Sequence, residues 1–303
     1  MVRFTLKQCA YFIAVAEHGG ISQAARVLNI SQPSIAQALD KLETISGLVL
    51  FERHHARGLE LTGQGRSFLA HVRSLADHAA SVEREAGFLR TGASGEVRLG
   101  CFHTIAQFHL ARLIRSYATA EPDIRISSRE LAMDQLTKAV AEGDLDMAIT
   151  YETAPGLDTL QVIVLAEITP YIILAEGHDL AGRAALHLRD LADEPFVMFE
   201  GPGSRPYFEA LLAKQGLSPQ IAYSSGAIES VRSAVGNGFG FSLLALRPMH
   251  EQTYDGRTLA MIPIADEVDG IKIVLATRTG IRRTKAMTGF ADHCCTYFAS
   301  LQR

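Results

Sequence analysis

The sequence lacks the features that mark membrane and secreted proteins. No apolar run in it approaches the roughly 20 residues that a membrane helix requires. The first residues, VRFTLKQ, lack the apolar core and small-residue cleavage site of a signal peptide. Hydrophobic residues make up 48% and charged residues 20% of the 303 positions, which is typical of a globular protein. We therefore expect a cytoplasmic location.

Cysteine is scarce, and its spacing excludes the common cysteine-based sites. The chain has four cysteines and contains neither a CxxC motif nor the spacing of metal ligands. Two of the four are adjacent in sequence, and such a pair does not easily form a relaxed disulfide bridge. The expectation is buried, reduced thiols and no metal. The four are Cys9, Cys101, Cys294 and Cys295.

Common catalytic motifs are also missing. There is no P-loop, nucleophile elbow or HExxH motif. The glycines of GNGFGFSLL, residues 236–244, precede a predicted strand instead of opening a helix after one, so they do not support a dinucleotide site. His103 and His109 are six positions apart, which is not a helical metal spacing. The sequence predicts a protein that is not an enzyme and carries no cofactor.

The most informative segment present is residues 21–42, ISQAARVLNISQPSIAQALDKL. Its apolar residues recur at spacings of three and four, which predicts two short helices joined by a tight turn. We expect Ser22 to cap the first helix and Ser31 the second, with Pro33 in the first turn. The outer face of the second helix would then carry Gln32, Ser34, Gln37 and Lys41, groups that can hydrogen-bond base edges or reach phosphates. Helix pairs of this kind also occur in proteins that do not bind DNA.

The flanks favour DNA binding. A third amphipathic helix is predicted at residues 6–18, and residues 48–65 indicate two short strands around a basic turn at 53–58. A basic hairpin beside a recognition helix is a wing that can contact the DNA backbone or minor groove. The first 62 residues carry six Lys or Arg and five Asp or Glu, and the whole chain has a net charge of −4. Affinity would therefore depend on several such modules binding together.

Two runs carry a family resemblance: FIAVAEHGGISQAARVLNISQPSIAQALDKLE and LFERHHARGLELTGQG. They resemble the LysR-type transcriptional regulators. Gly20 and Ile21 stand where the family often has a serine and an aromatic residue, and residues 45–50 are less charged than is usual before the wing. The resemblance implies a winged helix-turn-helix that binds promoter DNA. The predicted DNA-binding residues are Ser22, Ser31, Gln32, Pro33, Ser34, Gln37, Lys41, Arg53 and Arg57.

Residues 66–90 have a regular apolar seam with charged neighbours. The spacing alternates between four and three, which predicts a long helix that pairs with a second copy of the chain. A helix packed within one subunit would give a similar stripe. The segment 91–95, TGASG, is then expected to break the helix and act as a hinge. The seam residues are Phe68, Val72, Leu75, Ala79, Val82, Ala86 and Leu89.

Beyond the hinge, predicted strands alternate with predicted helices. Such alternation favours α/β layers with mostly parallel strands. The predicted strands are 97–101, 124–128, 147–150, 171–175, 196–199, 221–224, 240–244 and 271–277. The predicted helices between them include 105–118, 133–142, 206–215 and 227–235.

The family's sensor half resembles a periplasmic binding protein, with two α/β lobes and a ligand cleft between them. The resemblance implies a DNA-binding domain at 1–65, a linker helix at 66–92 and an effector-binding domain at 93–303. Lobe I would comprise 93–163 and 270–303, and lobe II 164–269. Two crossings between the lobes would allow a hinge closure around a ligand.

The predicted effector-binding residues lie in loops that follow strands, because ligands of such folds bind at the carboxyl ends of strands near helix N-termini. Thr104 and Ser204 could instead be ordinary helix caps, and Arg205 could pair with Glu200 or face solvent. The predicted residues are Cys101, Phe102, His103, Thr104, Leu131, Thr150, Phe199, Gly201, Ser204, Arg205 and Ser225.

The favoured function is a transcription factor controlled by an anionic or aromatic small molecule, which would shift the lobes and recruit or block RNA polymerase. The resemblance implies a homotetramer built from dimers. The alternative is a redox-sensing regulator that uses Cys101, whose position near a helix N-terminus could lower its pKa. Neither the effector nor the target genes follow from the sequence.

Overall fold

The computed structural model describes residues 3–54, 58–91 and 95–301. The chain divides into two units. The first comprises Met1–Gly95 with Gly280–Arg283, and the second comprises Glu96–Thr279 with Thr284–Arg303.

The first unit begins with three helices whose ends follow from local chemistry. Thr5 caps the first helix and forms a capping box with Gln8. Asn29 adopts a left-handed conformation (φ 53°) and ends the second, because its short polar side chain tolerates that region. Ser31 caps the third, as predicted. The helices are α1 (Leu6–His18), α2 (Ile21–Leu28) and α3 (Gln32–Ser46).

A small aromatic core holds these helices together. Phe12 is fully buried, and its ring lies 5.4 Å from that of Phe51 and 5.7 Å from that of Phe68. Ala24 and Ala25 are buried where α2 approaches its neighbours, since small side chains allow close packing. An antiparallel hairpin follows α3, formed by β1 (Phe51–His54) and β2 (Gly58–Leu61).

The long helix α4 (Gly63–Thr91) completes the first unit. Its start lies against the preceding chain, because a Cβ at Gly65 would stand only 2.1 Å from the carbonyl oxygen of Leu50. Val72 is 2% exposed and packs into the core of this unit. Further along the predicted seam, Leu75 is 39% and Val82 is 60% exposed. The first part of the seam therefore packs into the subunit's own core, and the part further along the helix has apolar side chains on the surface.

The second unit alternates strands with helices over most of its length. Its strands are β3 (Gly95–Phe102), β4 (Ile124–Leu131), β5 (Met147–Tyr151), β6 (Leu160–Ile168), β7 (Tyr171–Ala175), β8 (Phe196–Phe199), β9 (Ile221–Ser225), β10 (Ser242–Leu244), β11 (Leu259–Pro263) and β12 (Ile271–Arg278). Its helices are α5 (His103–Ile105), which continues through a π-helical turn at Ala106–Leu110 into α6 (Ala111–Ala120), then α7 (Met133–Glu142), α8 (Ser204–Lys214), α9 (Ile228–Gly236) and α10 (Lys285–Leu301). Two short 3₁₀ helices lie at Leu157–Thr159 and Leu188–Leu191.

Two hydrophobic cores define two lobes in this unit. Lobe I is built on a five-stranded sheet of order β4-β3-β5-β12-β6, packed by α6, α7 and α10. Lobe II is built on the sheet β10-β7-β11 and the pair β8-β9, packed by α8 and α9. Both cores contain strands buried over almost their whole length, such as β5 and β8, so each lobe has helices on its sheet faces.

Several sequence predictions are wrong in detail. Parallel pairing joins β3 to β5 and β8 to β9, but β12 is antiparallel to both β5 and β6, and β7 is antiparallel to β10 and β11. The expectation of mostly parallel strands therefore fails. Strands β6 and β11 and helix α10 were not predicted. The predicted helix 105–118 lies within a helical run from His103 to Ala120, which includes the π-helical turn at Ala106–Leu110.

Ser22 does not cap α2. That helix begins at Ile21 after Gly20, which makes no side-chain cap, so Ser22 is the second residue of the helix.

No helix in the described ranges is long and apolar enough to cross a membrane.

Candidate functional site

The first turn of α3 presents a hydrogen-bonded polar surface. The Ser31 hydroxyl accepts a hydrogen bond from the Ser34 backbone N–H at 3.4 Å and lies 2.7 Å from the Ser34 hydroxyl. The Ser22 hydroxyl donates to Oε1 of Gln32 at 3.0 Å. These contacts fix the start of α3 and connect it to α2.

The opposite face of α3 is buried, with Ile35, Leu39 and Leu42 in the core. This placement leaves the polar face in solvent. Of the nine predicted DNA-binding residues, seven have exposed side chains in the structure: Ser22, Ser31, Gln32, Pro33, Ser34, Gln37 and Lys41. The backbone of Arg53 lies in β1, but its side chain and the whole of Arg57 lie outside the described residues.

A cavity of about 50 Å³ lies between the two lobes of the second unit. A single water needs roughly 10–15 Å³ by this measure, so the space holds a few waters and no larger ligand without some opening. Its walls are largely apolar and aromatic, with hydroxyl groups at a few points. The lining residues are Thr104, Met133, Tyr151, Thr153, Phe199, Pro202, Gly203, Ser204, Tyr207, Phe208, Ile228, Leu244, Ala245, Leu246 and Ile271.

Two hydroxyls meet on the lobe I wall. Thr104 is 4% exposed, and its Oγ1 lies 3.1 Å from the phenolic oxygen of Tyr151. Burial raises the pKa of Tyr151 to about 12, so the phenol is neutral at physiological pH and able to donate a hydrogen bond. Thr104 does not cap α5, whose N-cap is Phe102. Its hydroxyl therefore belongs to the cavity wall.

On the lobe II wall, the loop after β8 turns tightly into α8. Gly203 adopts a left-handed conformation (φ 76°) and Ser204 begins the helix. Gly201 is buried, and a Cβ there would stand 2.5 Å from the ring of Phe199. The absence of a side chain at Gly201 thus sets the position of the Phe199 ring, which lines the cavity.

Arg205 is engaged within the protein. Its Nε and Nη2 bond both carboxylate oxygens of Glu200 at 2.9 and 2.6 Å, and its Nη1 bonds Glu209 at 2.8 Å. This is the pairing that the sequence had left open as an alternative to ligand binding. The hydrogen bonds from Arg205 lower the pKa of Glu200. Arg205 does not line the cavity, and the N–H groups of its guanidinium are bonded to two carboxylates.

The remaining predicted effector-binding residues do not line the cavity. Cys101 is 1% exposed and Thr150 is fully buried in lobe I. The Phe102 ring lies 5.7 Å from the ring of Tyr151, which lines the cavity, so Phe102 supports the wall from behind. The His103 ring lies 4.2 Å from that of Phe102. Leu131 packs against the lobe I core. The Ser225 hydroxyl accepts a hydrogen bond from its own loop at Ala227.

Several lining residues were not in the predicted set. Tyr207 and Phe208 lie in the first two turns of α8, and Leu244 ends β10. The rule that ligands bind at strand ends points to Leu244, but the aromatic pair on α8 gives no signal that separates a cavity wall from a core.

Two family models match the chain. The model of the LysR substrate binding domain matches residues 90–299, and that of the bacterial regulatory helix-turn-helix protein, lysR family, matches residues 6–66. The chain belongs to the LysR family of transcriptional regulators. This LysR-family protein thus combines a helix-turn-helix DNA-binding domain with a domain of the effector-binding type.

Relatives align over two thirds or more of the chain. The HTH-type transcriptional regulator CbbR of Rhodospirillum rubrum is 28% identical over 300 residues, covering 98% of this chain and 97% of that protein. ClcR of Pseudomonas putida is 33% identical over 67% of this chain and 68% of its own length. The crystal structure of HinK, a LysR family transcriptional regulator from Pseudomonas aeruginosa, superimposes with a TM-score of 0.67 at 35% identity, covering 98% of this chain and 99% of HinK.

Proposed function

We propose that this LysR-family regulator binds promoter DNA through the exposed polar face of α3 and is controlled by a small aromatic effector held between its two lobes. The observation that carries the proposal is the largely apolar cavity of the second unit, with neutral hydroxyls of Thr104 and Tyr151 in its wall. Such a site suits an apolar body with one or two polar groups.

The DNA-binding part rests on exposed groups of the right chemistry. Serine, glutamine and lysine side chains can bond base edges or phosphates in a major groove. We propose that the nine predicted residues lie at the DNA interface, with the β1–β2 hairpin acting as the wing against the DNA backbone. The proposed domain boundaries remain 1–65, 66–92 and 93–303.

We propose that α4 joins two copies of the chain. Leu75 and Val82 are seven positions apart and exposed, as expected for side chains that pack against a partner helix. A dimer carries two recognition helices and would read two half-sites about one helical turn, or a multiple of it, apart. Two dimers would form the tetramer, and the bound assembly would recruit or block RNA polymerase in the cytoplasm.

The pairing of Arg205 with two carboxylates favours an aromatic effector over a strongly anionic one. A polyanion would have to displace Glu200 and Glu209 from the guanidinium, which costs their charge-assisted hydrogen bonds. A neutral or singly charged aromatic molecule needs no such exchange. Because the cavity is small, binding would open the lobes, and the effector acts to the extent that it prefers the open arrangement.

The redox alternative has less support. Burial is the main cause that raises the pKa of Cys101, with a further contribution from Glu130, so its reactive thiolate is suppressed. In thiol labelling of the native protein, we expect Cys101 to react far more slowly than the partly exposed Cys295. Rapid labelling of Cys101 together with a peroxide-dependent change in DNA binding would favour the redox role.

The DNA part is tested by footprinting and mobility shift on the DNA upstream of the protein's own gene, at stated salt. We expect an extended, roughly symmetric footprint. Gln37→Ala should weaken binding to that site by about 5-fold or more, with little change on random DNA, as for loss of a base contact. Thr44→Ala is the matched control, because Thr44 lies two turns further along α3 and its hydroxyl bonds the Asp40 carbonyl. Equal loss on both DNAs would assign Gln37 to a phosphate.

The effector part is tested by calorimetric titration of the full-length protein with benzoate, phenol and citrate. We expect binding of an aromatic compound and none of citrate. Thr104→Val removes a hydroxyl and keeps the shape, so it should weaken the aromatic ligand about 5-fold while DNA binding persists. Tight binding of citrate alone would contradict the proposed effector class.

A further inference from the structure

Ser22 and Gln32 form a hydrogen bond that spans the helix-turn-helix. They are the second residue of α2 and the first residue of α3, ten positions apart. The left-handed Asn29 reverses the chain between them, and the buried Ala24 lets the helices approach closely. The two side chains are both exposed, so the bond lies on the surface proposed to face DNA.

The direction of this bond orients the Gln32 amide. The Ser22 hydroxyl donates to Oε1 of Gln32 at 3.0 Å. An amide oxygen held in this way leaves the amino group, with its two N–H donors, at the other end of the carboxamide. A free glutamine would sample many rotamers and both amide orientations, so the bond lowers the entropy lost when Gln32 meets a base.

The same bond argues against a phosphate contact by Ser22. A serine hydroxyl carries a single proton, and phosphate oxygens can only accept hydrogen bonds. Ser22 already gives its proton to Gln32. The neighbouring hydroxyls of Ser31 and Ser34 bond one another at 2.7 Å, so the amide of Gln32 is the flexible group that remains to be oriented at this end of α3.

We propose that Ser22 is a positioning residue that holds the Gln32 amide with its amino group toward the major groove. Gln32 then reads a base edge that offers two acceptors to the amino group, N7 and O6 of guanine. An A·T pair is disfavoured at that position, because adenine presents an amino donor beside N7 and thymine offers a single acceptor. This inference rests on the proposed DNA-binding function and adds to it the residue that sets the hydrogen-bonding sense of one contact.

The test is selection from a library of DNA duplexes with a randomised centre, using the full-length protein. The five proteins compared are the unchanged chain, Ser22→Ala, Ser22→Thr, Gln32→Ala and the double variant, and the readout is base preference at each position. Thermal unfolding of every variant checks that the first unit stays folded. Ser22→Thr keeps the hydroxyl and serves as the conservative variant.

For the unchanged protein we expect a G·C pair at one position of each half-site. Ser22→Ala should reduce that single preference about 5-fold or more, as for loss of one good base contact, and leave the other positions unchanged. Gln32→Ala should flatten the same position, the double variant should match Gln32→Ala, and Ser22→Thr should restore the preference.

Other outcomes overturn the inference. Uniform weakening on all sequences by Ser22→Ala, persisting in the Gln32→Ala background, would assign Ser22 to a phosphate. A preference for an A·T pair at the Gln32 position, or an unchanged profile in Ser22→Ala, would also refute it. Absence of any selected sequence with the unchanged protein would instead overturn the proposed function, and this inference with it.

Discussion

The polar end of α3 and the cavity of the second unit are surfaces of opposite construction. At α3, exposed polar side chains are held by short hydrogen bonds such as Ser22–Gln32 and Ser31–Ser34, while the core lies behind them. In the cavity, mostly apolar side chains enclose about 50 Å³, and polarity is limited to a few hydroxyls. The first surface is open, and its binding depends on the orientation of its polar groups. The cavity is closed, and its binding depends on the volume available to a ligand.

The two surfaces respond differently to substitution. A surface made of oriented polar groups loses specificity when one group changes, with little loss of stability, because the groups contribute little to the core. A surface made of packed apolar groups couples binding to packing, since any change in volume is felt by its neighbours. Substitutions behind the polar surface should therefore affect the first unit alone, and substitutions at the cavity should affect the second unit alone.

The largest effect is expected from the core behind the polar surface. Phe12→Ala removes a fully buried ring that contacts Phe51 and Phe68, and should destabilise the first unit by about 3–5 kcal/mol. Chemical denaturation should show an early transition with loss of DNA binding, while the second unit still unfolds at its usual denaturant concentration. Val27→Ala, at a 62% exposed position, is the control and should change stability by about 0.5 kcal/mol or less. A shift of both transitions by Phe12→Ala would show that the two units do not unfold independently.

A smaller effect is expected from filling space beside the cavity. Gly201→Ala places a Cβ against the Phe199 ring, which would have to shift, at a cost of about 1–3 kcal/mol. We expect weaker binding of an aromatic effector in calorimetry and unchanged binding to DNA in its absence. Gly226→Ala is matched to it, because a Cβ there has open space in the same lobe. Equal effects of the two substitutions would show that the cavity wall is not packed as described.

The smallest effect concerns acid stability. Burial lowers the pKa of His109 from 6.5 to about 4, and burial also lowers the pKa values of His103 and His293. The neutral form is thus favoured in the folded state, so stability present above pH 6.5 is lost as the pH falls to about 4. His109→Gln should flatten this dependence in thermal unfolding of the second unit. The unfolding of the first unit should show the same pH profile in both proteins, and a change there would count against a local origin.

Sequence reasoning was most accurate where structure depends on near neighbours. The bounds of α1 and α7 and the cap at Ser31 followed from spacing and from side chains within one turn. Ser22 does not act as the predicted cap because Gly20 allows the helix to begin at Ile21, two residues earlier than a cap at Ser22 would require. The seven exposed residues of the polar surface follow from the same periodicity, since a buried face implies an exposed one.

The cavity is formed by contacts between residues that are distant in sequence, and no local pattern contains them. Arg205 is followed four positions later by Glu209 and preceded by Glu200, yet only the folded loop decides that both carboxylates reach it. Strand β6 was missed although the turn residues Pro155 and Gly156 precede the short 3₁₀ helix and its apolar run. The antiparallel direction of β12 reflects where the chain re-enters lobe I, which is a property of the whole topology.

The position of β12 also has a consequence for biogenesis. It lies between β5 and β6 in the sheet of lobe I, although more than 100 residues, including all of lobe II, separate it from them in the chain. During synthesis from the N-terminus, β5 and β6 emerge first and have no partner in the gap between them until β12 follows. Lobe I therefore closes last, after lobe II has been made, and a ribosome that stalls within lobe II leaves two apolar strand edges uncovered.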